Sequence, residues 1–191
     1  MKPQLVQLLE SMKTQNLKPM HELSPADARK QMTEAAKTRV TTLIEVGNIE
    51  NRTIPGPARA IPVRIYRPEA AEGPIGAMVY FHGGGHVIGD LDSHDSVCRV
   101  ICRDAKILVM SVDYRMGPES KFPAAVDDCY GATKWLFENA DSMGVTADKI
   151  SVGGDSAGGN LAAVVAQLAA RVGAPRPVSY THLTLPTILL V

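Results

Sequence analysis

Gly154-Asp155-Ser156-Ala157-Gly158 lies between a short apolar run, Ile150-Ser151-Val152-Gly153, and a long stretch rich in Ala, Val and Leu. A β-strand passing sharply into an α-helix has this pattern. The tight turn brings Gly154 and Gly158 against neighbouring backbone with no room for a Cβ, and it holds the serine in a strained conformation. That strain lifts Ser156 Oγ clear of the sheet. The helix that begins there turns its unpaired N–H groups and positive dipole end toward a reacting carbonyl, where negative charge develops during acyl transfer.

A second motif precedes the first in the chain. Ala77-Met78-Val79-Tyr80-Phe81 reads as a buried strand, and His82-Gly83-Gly84-Gly85 follows it as a glycine-rich loop able to donate backbone N–H groups to an oxyanion. With Asp113-Tyr114-Arg115, Pro118-Glu119, Phe122-Pro123-Ala124-Ala125 and Gly154 to Gly159, these motifs make the sequence similar to the hormone-sensitive-lipase-like family of α/β-hydrolase esterases. The resemblance runs from about residue 42 to residue 177. It implies an α/β-hydrolase fold with a mostly parallel sheet and N-terminal cap helices, acting on small-molecule esters without a cofactor.

The resemblance also implies roles, position by position. Ser156 is expected to be the nucleophile, with the N–H groups of Gly84, Gly85 and Ala157 as the oxyanion hole. His82 is expected to hold the glycine loop by hydrogen bonds, with Gly83, Gly154, Asp155 and Gly158 supporting loop and elbow. Asp155 is placed to hydrogen-bond beneath the elbow, too close in sequence to orient a catalytic imidazole. His86 stands where related sequences carry an aromatic residue; it either lines the acyl pocket or makes an ordinary polar contact, and it receives no catalytic role. Asp113-Tyr114-Arg115 is expected to brace the floor of the site, and Asp127 and Asp128 to be solvated on a helix running to Asn139.

The rest of a serine-hydrolase triad is harder to place. In this fold an Asp or Glu and then a His follow the serine. After Ser156 the chain has neither acid, and its only histidine is His182; His21, His82, His86 and His94 all lie upstream. Strand candidates fall around residues 43–50, 63–66, 77–81, 107–112 and 150–153, and a family-like sheet would need about three further βα units of roughly 30 residues. The fold is therefore expected to be truncated after the elbow helix. This leaves the edge of the 150–153 strand open and the chain prone to aggregate.

Residues 178–191 are expected to be a non-native tail. Val178-Ser179-Tyr180-Thr181-His182-Leu183-Thr184-Leu185-Pro186-Thr187 matches, in one reading frame, a translation of transposase-type sequencing-adapter DNA. The alternative is a native sixth strand, since residues 180–185 are rich in β-formers. The partial hydrolase core then spans residues 43–177, and residues 1–42 form the cap. There Leu5, Leu8, Leu9 and Met12 recur at helical spacing, and a second helix starts at Ser24-Pro25-Ala26-Asp27, with Ser24 as cap and Asp27 closing a capping box. Residues 52–62, with three prolines and a glycine, read as the connection between the first two strands.

Composition narrows the function classes. Twenty Lys+Arg balance twenty Asp+Glu, and no basic run could track a phosphate backbone, so nucleic-acid binding is not expected. No apolar run approaches the ~20 residues of a membrane span, and residues 1–4 do not begin a secretory signal, so a cytoplasmic location is expected. Cys98, Cys102 and Cys129 read as small buried thiols rather than metal ligands. The expected activity is hydrolysis of short-chain carboxylic esters through an acyl-enzyme, by the intact parent and not by this chain. The alternative is a degenerate hydrolase serving as a small-molecule receptor.

Overall fold

A computed structural model describes residues 6, 10, 17–39, 43–69 and 73–183. Its elements are α1 (Pro25–Arg39), β1 (Asn48–Ile54), β2 (Ile61–Arg67), β3 (Ile75–Phe81), α2 (Asp95–Ala105), β4 (Leu108–Val112), α3 (Ala124–Glu138), β5 (Val145–Asp155), α4 (Ala157–Val172) and β6 (Tyr180–Leu183). The strands form one sheet in the order β1-β2-β4-β3-β5-β6. β1, β2 and β4 are joined by antiparallel pairing, and β4, β3, β5 and β6 by parallel pairing.

Period-two alternation sorts the side chains into two layers. From β4, Leu108, Met110 and Val112 face the α3/α4 side, where Phe81, Cys129, Leu136, Leu161 and Val165 join them. Val109 faces the other side and packs with Tyr66, Tyr80, Cys98 and Cys102 under α2. All three cysteines are buried free thiols. Burial raises each thiol above its ordinary range, Cys98 to about 12.

Three expectations need correction. The first strand runs over Asn48–Ile54, not residues 43–50, and only Pro55 to Ala60 connect it to β2. Asn51, Arg52 and Thr53 are exposed on this edge strand, which therefore needs no apolar alternation and looks like a turn in sequence. Asp127 is exposed, but Asp128 is 1% exposed. It accepts bonds from Arg115 Nε (2.8 Å), Nη2 (2.8 Å) and backbone N–H (3.0 Å). A fork of donors from one arginine makes burial of this carboxylate tolerable. Third, the edge of β5 expected to stand open carries β6, drawn from the segment set apart as a tail, with Val152 opposite Tyr180 and Asp155 opposite Leu183. Backbone pairing responds only to extended, β-forming residues, which 180–183 supply.

Of the capping box expected at the start of α1, the Ser24 half forms, while the Asp27 carboxylate meets the Ser24 hydroxyl. Ser24 Oγ accepts the Asp27 N–H at 3.2 Å and donates to the Asp27 carboxylate at 2.6 Å. The expected helix around Leu5 to Met12 lies outside the described residues, apart from residues 6 and 10.

Candidate active site

The site forms where two neighbouring parallel strands end. β3 and β5 are in register with Phe81 opposite Gly154, so the glycine loop after β3 and the turn after β5 emerge side by side. Ser156 sits between β5 and α4 with φ 51° and ψ −117°, a positive-φ conformation that a non-glycine residue adopts only under constraint. It is exposed, and its side chain makes no capping bond to the helix it precedes. A Cβ at Gly154 or Gly158 would collide with the Phe81 carbonyl, which explains both glycines of the elbow.

Ala157 opens α4, so its N–H has no partner within the helix. In the glycine loop Gly84 has φ 125° and Gly85 φ 62°, and a Cβ at Gly84 would strike the Ile88 carbonyl. The Gly84 carbonyl is occupied by the N–H groups of Val87 (3.1 Å) and Ile88 (3.0 Å). This leaves a loop with a fixed path, beside a helix N-terminus.

Asp155 joins loop to elbow. Its Oδ1 accepts the Gly83 N–H at 2.9 Å and the Tyr80 hydroxyl at 2.7 Å, and His94 Nε2 stands 3.5 Å away. Burial opposes ionisation of this carboxyl, but the contacts from His94, Tyr80 and Gly83 outweigh it and bring its pKa to about 2. A Cβ on Gly83 would run into the same carboxylate.

His82 is fully buried and stacks on Tyr114 with ring centroids 4.4 Å apart. Its Nδ1 lies 2.8 Å from the Gly83 carbonyl, which can only accept, so the proton sits on Nδ1. The Tyr114 hydroxyl donates to the His82 carbonyl at 2.6 Å. Burial, partly offset by the Gly83 bond, lowers the His82 pKa to about 4. The unfolded chain therefore takes up this proton first, as pH falls below about 6.5. Stability conferred by neutral His82 is intact above that value, declines as pH falls toward 4, and by then has dropped by roughly 2–3 kcal/mol. Denaturant titrations at pH 7, 5.5 and 4 should show this decline in the native chain and lose it in His82→Gln, while NMR titration should place His82 near 4. An imidazole titrating near 6.5 would contradict the burial argument.

His86, also at positive φ (61°), lines a cavity of about 390 Å³ with Val87, Phe122, Val126, Leu161 and Val164. Asn160 lines it too and lies one helical turn from Ser156, whose carbonyl accepts the Asn160 N–H at 3.0 Å. The cavity thus opens between the segments that flank the serine and the glycine loop. Sequence reading missed two partners of Asp155, Tyr80 and His94. Tyr80 lay hidden in an apolar strand, and His94 carried no local signal.

The remaining histidines are elsewhere or undescribed. His21 is exposed beside Glu22, and His182 pairs through its backbone opposite Gly154, its side chain lying outside the described residues.

A strained, exposed serine between a parallel strand and a helix, beside a glycine loop from the neighbouring strand, is the elbow arrangement of the α/β-hydrolase fold. The family model described as alpha/beta hydrolase fold matches residues 78–190, and the chain belongs to that family, in its hormone-sensitive-lipase-like branch. It is 52% identical over 136 residues to a carboxylic ester hydrolase, LipN, of Mycobacterium tuberculosis, covering 69% of this chain and 36% of that protein. It is 40% identical over 164 residues to an ethyl acetate hydrolase of Pseudomonas putida, covering 83% and 52%. A hyperthermophilic esterase from Pyrobaculum calidifontis superimposes with a TM-score of 0.88 at 38% identity, covering 98% of this chain and 62% of that structure. The chain thus spans about half the length, or less, of these curated relatives. Among its described residues no helix is long and apolar enough to cross a membrane.

Proposed function

We propose that Ser156 is the nucleophile of a carboxylic-ester hydrolase that takes short-chain esters through an acyl-enzyme. The observation that carries this reading is the exposed Ser156 at φ 51°, tied through its neighbour Asp155 to the glycine loop. Ser156 Oγ attacks the ester carbonyl, its proton passing to a histidine held by an acid. The carbonyl oxygen takes up the negative charge facing the N–H groups of Gly84, Gly85 and Ala157, and losing one such donor typically costs about 10²–10³ in rate. The alkoxide leaves with the proton, and water then releases the acid and restores Ser156. The small cavity beside Asn160 and His86 suits a short carbon chain, in keeping with the ethyl acetate hydrolase among the relatives. Three buried free thiols fit a reducing, cytoplasmic setting.

The same reading makes the 191-residue chain inactive as it stands. His82 spends its Nδ1 proton on Gly83, and His94 faces Asp155. The tail reading of residues 178–191 belongs to this proposal, and an independent read of the locus made without transposase adapters would refute it by returning the same codons. The test of function joins residues 1–177 to the matching C-terminal part of the ethyl acetate hydrolase and assays 4-nitrophenyl butyrate. The chimera is expected to turn over ester while the 191-residue chain does not. A cooperatively melting chimera that stays inert would overturn the ester reading. An esterase rate from the chain alone, abolished by Ser156→Ala, would overturn its inactivity.

A further inference from the structure

Arg29, on α1, ties the cap helix to both loops at the rim of the cavity. Its Nε donates to the Val87 carbonyl (2.7 Å) and its Nη2 to the Gly117 carbonyl (2.7 Å). Its two terminal nitrogens also grip the Glu119 carboxylate, at 2.9 and 2.7 Å. Val87 follows the glycine loop, Gly117 follows the Asp113-Tyr114-Arg115 segment, and both line the cavity. The Gly117 N–H donates to the His86 carbonyl at 2.8 Å, so the two loops also meet directly beside Arg29. One turn along α1, Thr33 Oγ1 donates to Asp90 at 2.6 Å, a separate attachment of the same helix.

We propose that Arg29 is a positioning residue that sets the mouth of the cavity by holding the Val87 and Gly117 carbonyls at a fixed separation. The consequence for ligand rests on the reading of that cavity as the place of the ester's carbon chain. A planar guanidinium reaches two carbonyls and a carboxylate at once, whereas a lysine ammonium is a single point of charge on a flexible stem. Lysine at this position therefore keeps the charge and loses the spacing.

The experiment compares the 191-residue chain with Arg29→Ala, Arg29→Lys and Thr33→Val. Amide hydrogen exchange reports on the loops, and butyrophenone, an uncleavable ketone of ester-like shape, reports on the cavity. In Arg29→Ala the Gly117 N–H is expected to exchange at least tenfold faster and butyrophenone to bind about tenfold more weakly. Arg29→Lys is expected to resemble Arg29→Ala, and Thr33→Val, which loosens α1 elsewhere, to resemble the native chain. Unchanged Gly117 exchange in Arg29→Ala, or an equal rise in Thr33→Val, would overturn the proposal. Faster exchange with unaltered butyrophenone affinity would equally overturn it, because the loops would then not set the mouth. If butyrophenone fails to bind the native chain, the carbon-chain reading of the cavity falls, and Gly117 exchange alone decides whether Arg29 holds the loops.

Discussion

Ser156→Ala in the chimera is expected to lower kcat for 4-nitrophenyl butyrate by about 10⁶, with KM changed only a few-fold. The size follows from what the serine does and what stays behind. Removing the nucleophile of a serine hydrolase removes the acyl-enzyme route altogether, leaving a residual ~10³–10⁴ over water from oxyanion donors and binding. The donors proposed for that role are the backbone N–H groups of Gly84, Gly85 and Ala157, which the substitution does not touch. The cavity beside Asn160 and His86 is likewise unaltered, so ground-state binding is preserved. Alanine also tolerates φ 51° no better than serine, so the variant should melt at nearly the native temperature. A loss of only tenfold would mean that another group performs the attack.

Asp128→Ala is expected to destabilise the chain by about 3–5 kcal/mol, a large share of the ~5–15 kcal/mol that holds a domain together. The carboxylate is 1% exposed and satisfies three Arg115 donors; without it a guanidinium only 18% exposed keeps one described bond, to the Ala124 carbonyl at 3.3 Å. A part-buried charge left without its counterion, not the lost attraction, is the main cost. Arg115→Met combined with Asp128→Leu should accordingly recover most of the stability in urea titrations. If Asp128→Ala alone shifts the midpoint by less than the double variant does, the pair is not the bracing element inferred here.

That pair also shows where sequence reading reached its limit. Ala124, Asp128, Ala132 and Leu136 recur at four-residue spacing, and all four are buried. The acid therefore sat on an apolar stripe that could have marked it as buried, but its partner on the Asp113-Tyr114-Arg115 segment could not be matched by spacing. The elbow and the glycine loop were legible because both depend on local backbone geometry, which demands glycine at particular positions. Asp155's contact with Gly83 was half legible: a bond beneath the elbow was expected, and its recipient was not. Tyr80, His94 and Arg29 reached their partners only through tertiary proximity. The β1 boundary was missed for another reason, since an exposed edge strand carries polar residues that mimic a turn.

The link between Asp155 and Gly83 has a temporal side. The carboxylate is 72 residues downstream of the amide it anchors. On a ribosome adding about 5–20 residues per second, the glycine loop emerges roughly 4–14 s before its tether exists. During that interval β3 has no β5 beside it, Tyr80 has no carboxylate for its hydroxyl, and the Gly83 N–H has no acceptor from the elbow. The proposed site therefore comes together only once β5 stands beside β3, and a nascent chain halted before residue 155 would carry the glycine loop without the carboxylate that ties it to the elbow.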